Sequence, residues 1–213
     1  MAPMPSSPSL TVADLTCRRA GRTVFAGLSF AVAPGELLAL VGRNGSGKTT
    51  LLRALALLLR PDAGSIRWND VEVADDAEAW RGRLAWLGHL DGLKGDLTIR
   101  ENLRVAGRLR SGAVAGDRIE GALATFDLVA LGERPVRALS AGLRRRAALA
   151  RVVLADAPVW LLDEPMNALD APAQQALRAA LAAHLSAGGL AIAATHVELG
   201  LPGVRPLALG AAS

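Results

Sequence analysis

Along the chain the spacing of apolar and polar positions changes character several times. Residues 9–14, 22–31 and 36–41 carry alternating or continuous apolar runs, broken at Gly21 and at Pro34-Gly35, and this pattern predicts three strands. Residues 49–60 have helical length and composition, and Pro61-Asp62-Ala63-Gly64 predicts their end before a short strand at 65–68. From about 90 to 139 no strand pattern survives, and arginine-, glycine- and alanine-rich segments such as 98–110 and 119–128 predict helices. The mixed pattern returns with a helix at 141–154, a short buried strand at 159–162, a helix at 171–185 and a strand at 190–194. Strands alternating with helices predict an α/β fold with a parallel sheet. One domain over 1–213 is expected, with a strand-rich part and core at about 9–89 and 140–213 and an inserted helical lobe at about 90–139.

Composition narrows this picture only slightly. A chain of 213 residues buries a substantial core as one domain. Hydrophobic residues reach 51% but are rich in alanine, and aromatics make up 3% with no tyrosine, so the core is expected to be mostly aliphatic. The formal charge of +4, with 24 Lys and Arg against 20 Asp and Glu, suits ATP, nucleic acid or an anionic membrane surface equally. Cys17 is the sole cysteine and cannot form an internal disulfide, which points to a reducing compartment. Residues 1–10 lack the basic start and apolar stretch of a secretory signal, and the runs at 51–59 and 190–194 are too short or interrupted to span a bilayer. Any membrane association is therefore expected to come through a partner.

The strongest chemical signal is Gly42-Arg43-Asn44-Gly45-Ser46-Gly47-Lys48-Thr49, followed by Thr50, placed between an apolar strand and a helix. Glycines at these positions let backbone N–H groups turn inward around phosphate oxygens, while the helix directs its positive N-terminus at them. Lys48 supplies charge to the β- and γ-phosphates of ATP, and the Thr49 hydroxyl suits Mg²⁺. A second signal is Val159-Trp160-Leu161-Leu162-Asp163-Glu164, an apolar strand that stops on two carboxylates. Such a stop is costly inside a core and sensible at the carboxyl edge of a sheet. Asp163 is placed to hold Mg²⁺ and Glu164 to deprotonate the attacking water.

With these two motifs, further segments in the same order resemble the ABC ATPase family over about residues 10–196. Leu139-Ser140-Ala141-Gly142 is similar to that family's LSGGQ signature, Ala168-Leu169-Asp170 to its D-loop, and Thr195-His196 to its switch histidine. The resemblance implies a P-loop NTPase with a RecA-like parallel core, an N-terminal antiparallel β subdomain and an inserted α-helical subdomain. It implies an ATP hydrolase in which two paired ATPase subunits, as a homodimer or with a homologous partner, close on two Mg·ATP. Ser140, Ala141 and Gly142 would then meet the γ-phosphate held by the other subunit, with Glu164, His196 and Lys48 catalytic.

Departures from the family pattern are visible. Leu143 replaces the signature glutamine and Leu90 stands at the Q-loop glutamine position; His89 is either a substitute or a plain loop histidine. The aromatic that stacks on adenine is replaced by Cys17-Arg18-Arg19, where an arginine plane offers a stacking surface. Arg144-Arg145-Arg146 is expected to be a solvated face or a support beside the γ-phosphate, and no nucleic-acid partner is expected. Within the family, the segments 22–30, 87–89, 92–94 and Glu101-Asn102-Leu103 resemble the ATPases of haem export and cytochrome c maturation, the CcmA type. That resemblance implies an integral membrane partner of the CcmB kind and a peripheral place on the cytoplasmic face of the inner membrane. A soluble ABC ATPase acting on ribosomes or DNA, the ATPase of another small-substrate transporter, and a non-hydrolysing module remain the alternatives.

Overall fold

The computed structural model describes residues 9–210, the side chain of Ser111 excepted. Most of the N-terminal segment read for a secretory signal, residues 1–8, lies outside them.

Two sheets meet across one helix. The first is antiparallel, in the order β2-β1-β4-β5, from β1 (Leu10–Arg19), β2 (Arg22–Val32), β4 (Ala63–Trp68) and β5 (Val71–Glu72). The second is parallel, in the order β6-β7-β8-β3-β9, from β3 (Leu37–Val41), β6 (Leu84–Leu87), β7 (Val159–Asp163), β8 (Leu190–Ala194) and β9 (Arg205–Ala208). The helices are α1 (Lys48–Leu55), α2 (Ala77–Gly82), α3 (Ile99–Ser111), α4 (Gly116–Thr125), α5 (Ala141–Leu154) and α6 (Ala171–Ser186). Between β6 and α5 the ordered elements are all helical: α3, α4 and single 3-10 turns at Val129–Leu131 and Val136–Ala138.

The continuous apolar runs of β7 and β8 are explained by burial on both faces, as a central parallel sheet requires. The two-residue period of a strand sorts them between two cores. Trp160, Leu162, Ala191 and Ala193 pack with α5 and α6, while Val159, Leu161, Leu190, Ile192 and Ala194 pack with α1 and the antiparallel sheet. Leu38 and Leu40 of β3 join the second group. Each fully buried leucine contributes about 1.5–3 kcal/mol. Ala147, Ala148 and Ala150, none of them accessible, let α5 approach the sheet closely.

Several boundaries depart from those the sequence predicts. β1 runs five residues past the expected 14, because irregularities in its pairing, with Asp14 at φ 50°, carry the strand on to Arg19. The helix expected over 49–60 stops at Leu55. There Leu57 turns to φ 52°, and the Leu57 and Leu58 N–H groups donate to the Ala54 and Arg53 carbonyls at 3.0 and 2.9 Å. This is a Schellman ending made without glycine. α3 begins where Thr98 and Glu101 cap each other: Thr98 Oγ1 accepts from the Glu101 N–H at 3.1 Å and Glu101 Oε2 from the Thr98 N–H at 2.8 Å. α2, β5, β6 and β9 were not anticipated, being short or, in β9, carrying Pro206 on a sheet edge.

Candidate functional site

Strand order assembles the site. β3, β8 and β7 are neighbours running in one direction, so their carboxyl ends lie side by side. They deliver, respectively, the loop from Gly42 to Lys48, the pair Thr195-His196, and the pair Asp163-Glu164. Ligands of open parallel sheets gather at this edge.

Two glycines of the loop are fixed by sterics. A Cβ on Gly42 would stand 2.4 Å from the Leu209 carbonyl oxygen, and one on Gly47, at φ 98°, would stand 2.6 Å from Val24 Cγ1. Around Gly45 there is open space. Lys48 is buried and its ammonium donates to the Gly42 and Arg43 carbonyls at 2.7 and 3.2 Å. Arg43 and Asn44 are exposed, Thr50 is half-buried in α1, and the buried Ser46 hydroxyl has no hydrogen-bond partner among the described residues. An orphaned hydroxyl, a lysine and an open glycine loop form a cradle suited to phosphate oxygens.

At the neighbouring strand end, the Thr49 hydroxyl donates to both carboxylate oxygens of Asp163, at 3.1 and 3.0 Å. Asp163 is only 2% exposed. A hydroxyl and a buried carboxylate side by side are hard oxygen donors and fit Mg²⁺. Glu164 follows in a left-handed conformation, φ 47°, with its N–H bonded to the Ala194 carbonyl at 2.9 Å. Its Oε2 lies 2.7 Å from His196 Nδ1. His196 is set by a turn in which Thr195 Oγ1 donates to the Val197 carbonyl at 2.8 Å and accepts from the Val197 N–H at 3.1 Å. Lys48, Thr49, Asp163, Glu164 and His196 therefore converge on one sheet edge.

Ser140, Ala141 and Gly142 stand elsewhere, at the start of α5. Ser140 Oγ caps the helix by accepting from the Leu143 N–H at 3.2 Å, and a Cβ on Gly142 would lie 2.9 Å from the Ala168 carbonyl oxygen. The turn at Ala168, φ 61°, leads into Asp170, which caps α6 through the Ala173 N–H at 3.1 Å and accepts from Arg146 at 2.5 Å. These bonds to Ala173 and then Arg146 hold the Asp170 carboxyl below the usual range. Leu143 packs partly buried on the core, whereas Leu90 is 82% exposed; His89 is exposed as well.

Of the two readings of the arginine triplet, the solvated face fails at Arg145. Arg145 is buried rather than solvated, and it donates to the main-chain carbonyls of Asp163 and Glu164. Burial lowers its pKa from the ordinary value, with Asp91 opposing. Arg144 donates to the Leu139 carbonyl at 2.6 Å. A run of three arginines at a helix start gives no sign in sequence of which one turns inward; only the fold reveals Arg145.

The match to known proteins agrees with this geometry. The family model described as ABC transporter covers residues 25–167, and the chain belongs to that family as an ATP-binding, ATP-hydrolysing subunit. A cytochrome c biogenesis ATP-binding export protein CcmA of Rhodospirillum rubrum is 48% identical over 98% of this chain and 89% of its own length. The protein of the same description from Cupriavidus necator is 48% identical over 97% of this chain and 90% of its own length. Among solved structures, an ATP-binding subunit of an ABC transporter superposes with a TM-score of 0.79 at 27% identity, covering 88% of this chain and 79% of that one.

Proposed function

We propose that this subunit drives a membrane-embedded partner in haem export or c-type cytochrome biogenesis, from a peripheral position on the cytoplasmic face of the inner membrane. The names carried by its CcmA relatives support the pathway. Among the described residues no helix is long and apolar enough to cross a membrane, so a separate integral subunit, of the CcmB kind, would supply the passage.

In this proposal Gly42 to Thr50 wrap the phosphates, Lys48 leaves its loop carbonyls to neutralise them, and Thr49 with Asp163 would hold Mg²⁺. When bound, the cation offsets charge on the β- and γ-phosphates. Glu164 accepts a proton from the attacking water, and His196, hydrogen-bonded to its carboxylate, orients that carboxylate and faces the γ-phosphate. The observation that carries this account is the 2.7 Å contact of His196 with Glu164 beside the Thr49–Asp163 pair. Ser140 caps its own helix and Gly142 packs against the turn at Ala168, which leaves their use in trans by a second ATPase subunit as the proposed role. Residues 90–139 would act as a helical subdomain that carries motion to the membrane partner.

A groove of about 590 Å³ between the outer strand β6, α3 and α5, lined by Trp86, Val105, Leu109 and Arg151, supports that role. Leu109 is 85% exposed, which favours an apolar partner segment there. The test is to trap the nucleotide-bound Glu164→Gln variant in gently solubilised native membranes and identify what co-purifies. A polytopic membrane protein with cytochrome c assembly factors is expected; ribosomes, nucleic acid or no membrane protein would overturn the proposal.

A further inference from the structure

The strand end that carries Glu164 is gripped from behind by one side chain. Arg145 Nη2 donates to the carbonyls of Asp163 and Glu164 at 2.5 and 2.7 Å. On its other arm, Nη1 donates to the Gly88 carbonyl at 3.0 Å and to Asp91 Oδ1 at 3.4 Å. The residue is 5% exposed, and Asp91 is its only carboxylate partner among the described residues. Glu164 itself sits at φ 47°, a backbone state that is unfavourable for a non-glycine residue and persists only when its surroundings impose it. Arg145 bonds the carbonyl of that strained residue and of the one before it.

A second arginine of α5 holds the same loop from the groove side. Arg151, in the next turns of α5, donates to the Trp86 and Asp91 carbonyls at 3.1 and 3.4 Å and lines the groove described above. A Cβ on Gly92, also in the groove wall, would meet the Arg151 guanidinium at 3.3 Å. A continuous polar path thus runs from groove to loop 88–92, to Arg145, and to the backbone of Glu164. Leu90, in that loop, has no polar side-chain atom to offer.

We propose that Arg145, anchored by Asp91, is a positioning residue for Glu164, fixing its backbone while His196 orients its carboxylate. The proposal rests on Glu164 being the general base. Arg145 acts through the main-chain carbonyls of Asp163 and Glu164. Removing the Asp91 charge leaves the buried guanidinium hydrogen-bonded to dipoles alone, with the Asp163 and Glu164 carboxylates as its remaining nearby charges, and weakens one corner of the fork. A shift of about 1 Å at a catalytic group costs on the order of 100-fold in rate.

The experiment compares Asp91→Asn and Arg145→Lys with the unaltered full-length protein. Asp91 is partly solvated, its side chain 26% exposed, so the amide is accommodated without unfolding. For Asp91→Asn, kcat at saturating Mg·ATP is expected to fall about tenfold or more, with the Kd for a fluorescent ATP analogue held within about twofold and Tm lowered by only a few degrees as the buried guanidinium loses its ionic partner. Arg145→Lys keeps charge but lacks the planar fork, so it does not restore kcat. An unchanged kcat in Asp91→Asn overturns the proposal, and so does a loss in which Kd and Tm move together with kcat, the mark of packing alone. Glu164→Gln measured alongside separates the two ideas. Turnover persisting there breaks the assignment of the base; turnover lost there but intact in Asp91→Asn breaks only the positioning role.

Discussion

Replacing Thr49 by alanine isolates the pair at the centre of the site. The substitution deletes the hydroxyl that donates to both oxygens of Asp163, a carboxylate 2% exposed at the end of β7. Leaving a buried charged acceptor unpaired costs about 1–3 kcal/mol or more. In a chain of this size each kcal/mol lowers Tm by roughly 2–4 °C, so Thr49→Ala is expected to melt about 3–10 °C below the unaltered protein without nucleotide. Thr49→Ser keeps the hydroxyl and is expected to restore most of that loss. With Mg·ATP a second effect appears: Thr49→Ala loses hydrolysis that rising Mg²⁺ recovers only in part. Calorimetry with and without nucleotide, followed by a phosphate-release assay over a Mg²⁺ series, reads both. If Thr49→Ala melts with the unaltered protein, the buried hydroxyl–carboxylate pair does not hold the site and the reasoning fails.

Burial lowers the pKa of His184, which stacks on Trp160 at 4.1 Å between ring centroids and contacts the Leu190 carbonyl at 3.1 Å. A depressed folded pKa means that the unfolded chain binds more protons, so stability is lost as pH falls below about 6.5, the ordinary imidazole value. His184→Phe keeps a ring on Trp160 and is expected to flatten the Tm decline between roughly pH 7 and 5; an identical decline would contradict the assignment. Gly142→Ala places a Cβ 2.9 Å from the Ala168 carbonyl oxygen and shifts the turn before Asp170. It is expected to lower ATP turnover while nucleotide binding to the isolated subunit stays near normal, as steady-state kinetics against equilibrium binding would measure.

Much of this site was legible in sequence because its chemistry is local. The loop Gly42 to Thr49 and the strand stop at Asp163-Glu164 are contiguous motifs whose flanking apolar runs predict a strand before each. The burial of β7 on both faces follows from its continuous apolar run. What escaped was set by tertiary context. β6 and α2 are too short for periodicity to emerge, and Pro206 argues against a strand unless the edge position of β9 is known. The early end of α1 rests on Leu57 adopting φ 52°, a state that no glycine advertised. Which of the three arginines turns inward was not legible, because the acceptors of Arg145 lie 18, 19 and 57 residues away in sequence.

The central claim is that Glu164, held beside His196 at the end of β7, removes the proton from the attacking water. Single-turnover and steady-state ATP hydrolysis by Glu164→Gln, with ATP binding measured on the same samples, tests it most directly. Hydrolysis is predicted to fall roughly 10²- to 10⁴-fold with binding retained; turnover equal to that of the unaltered protein would contradict the account.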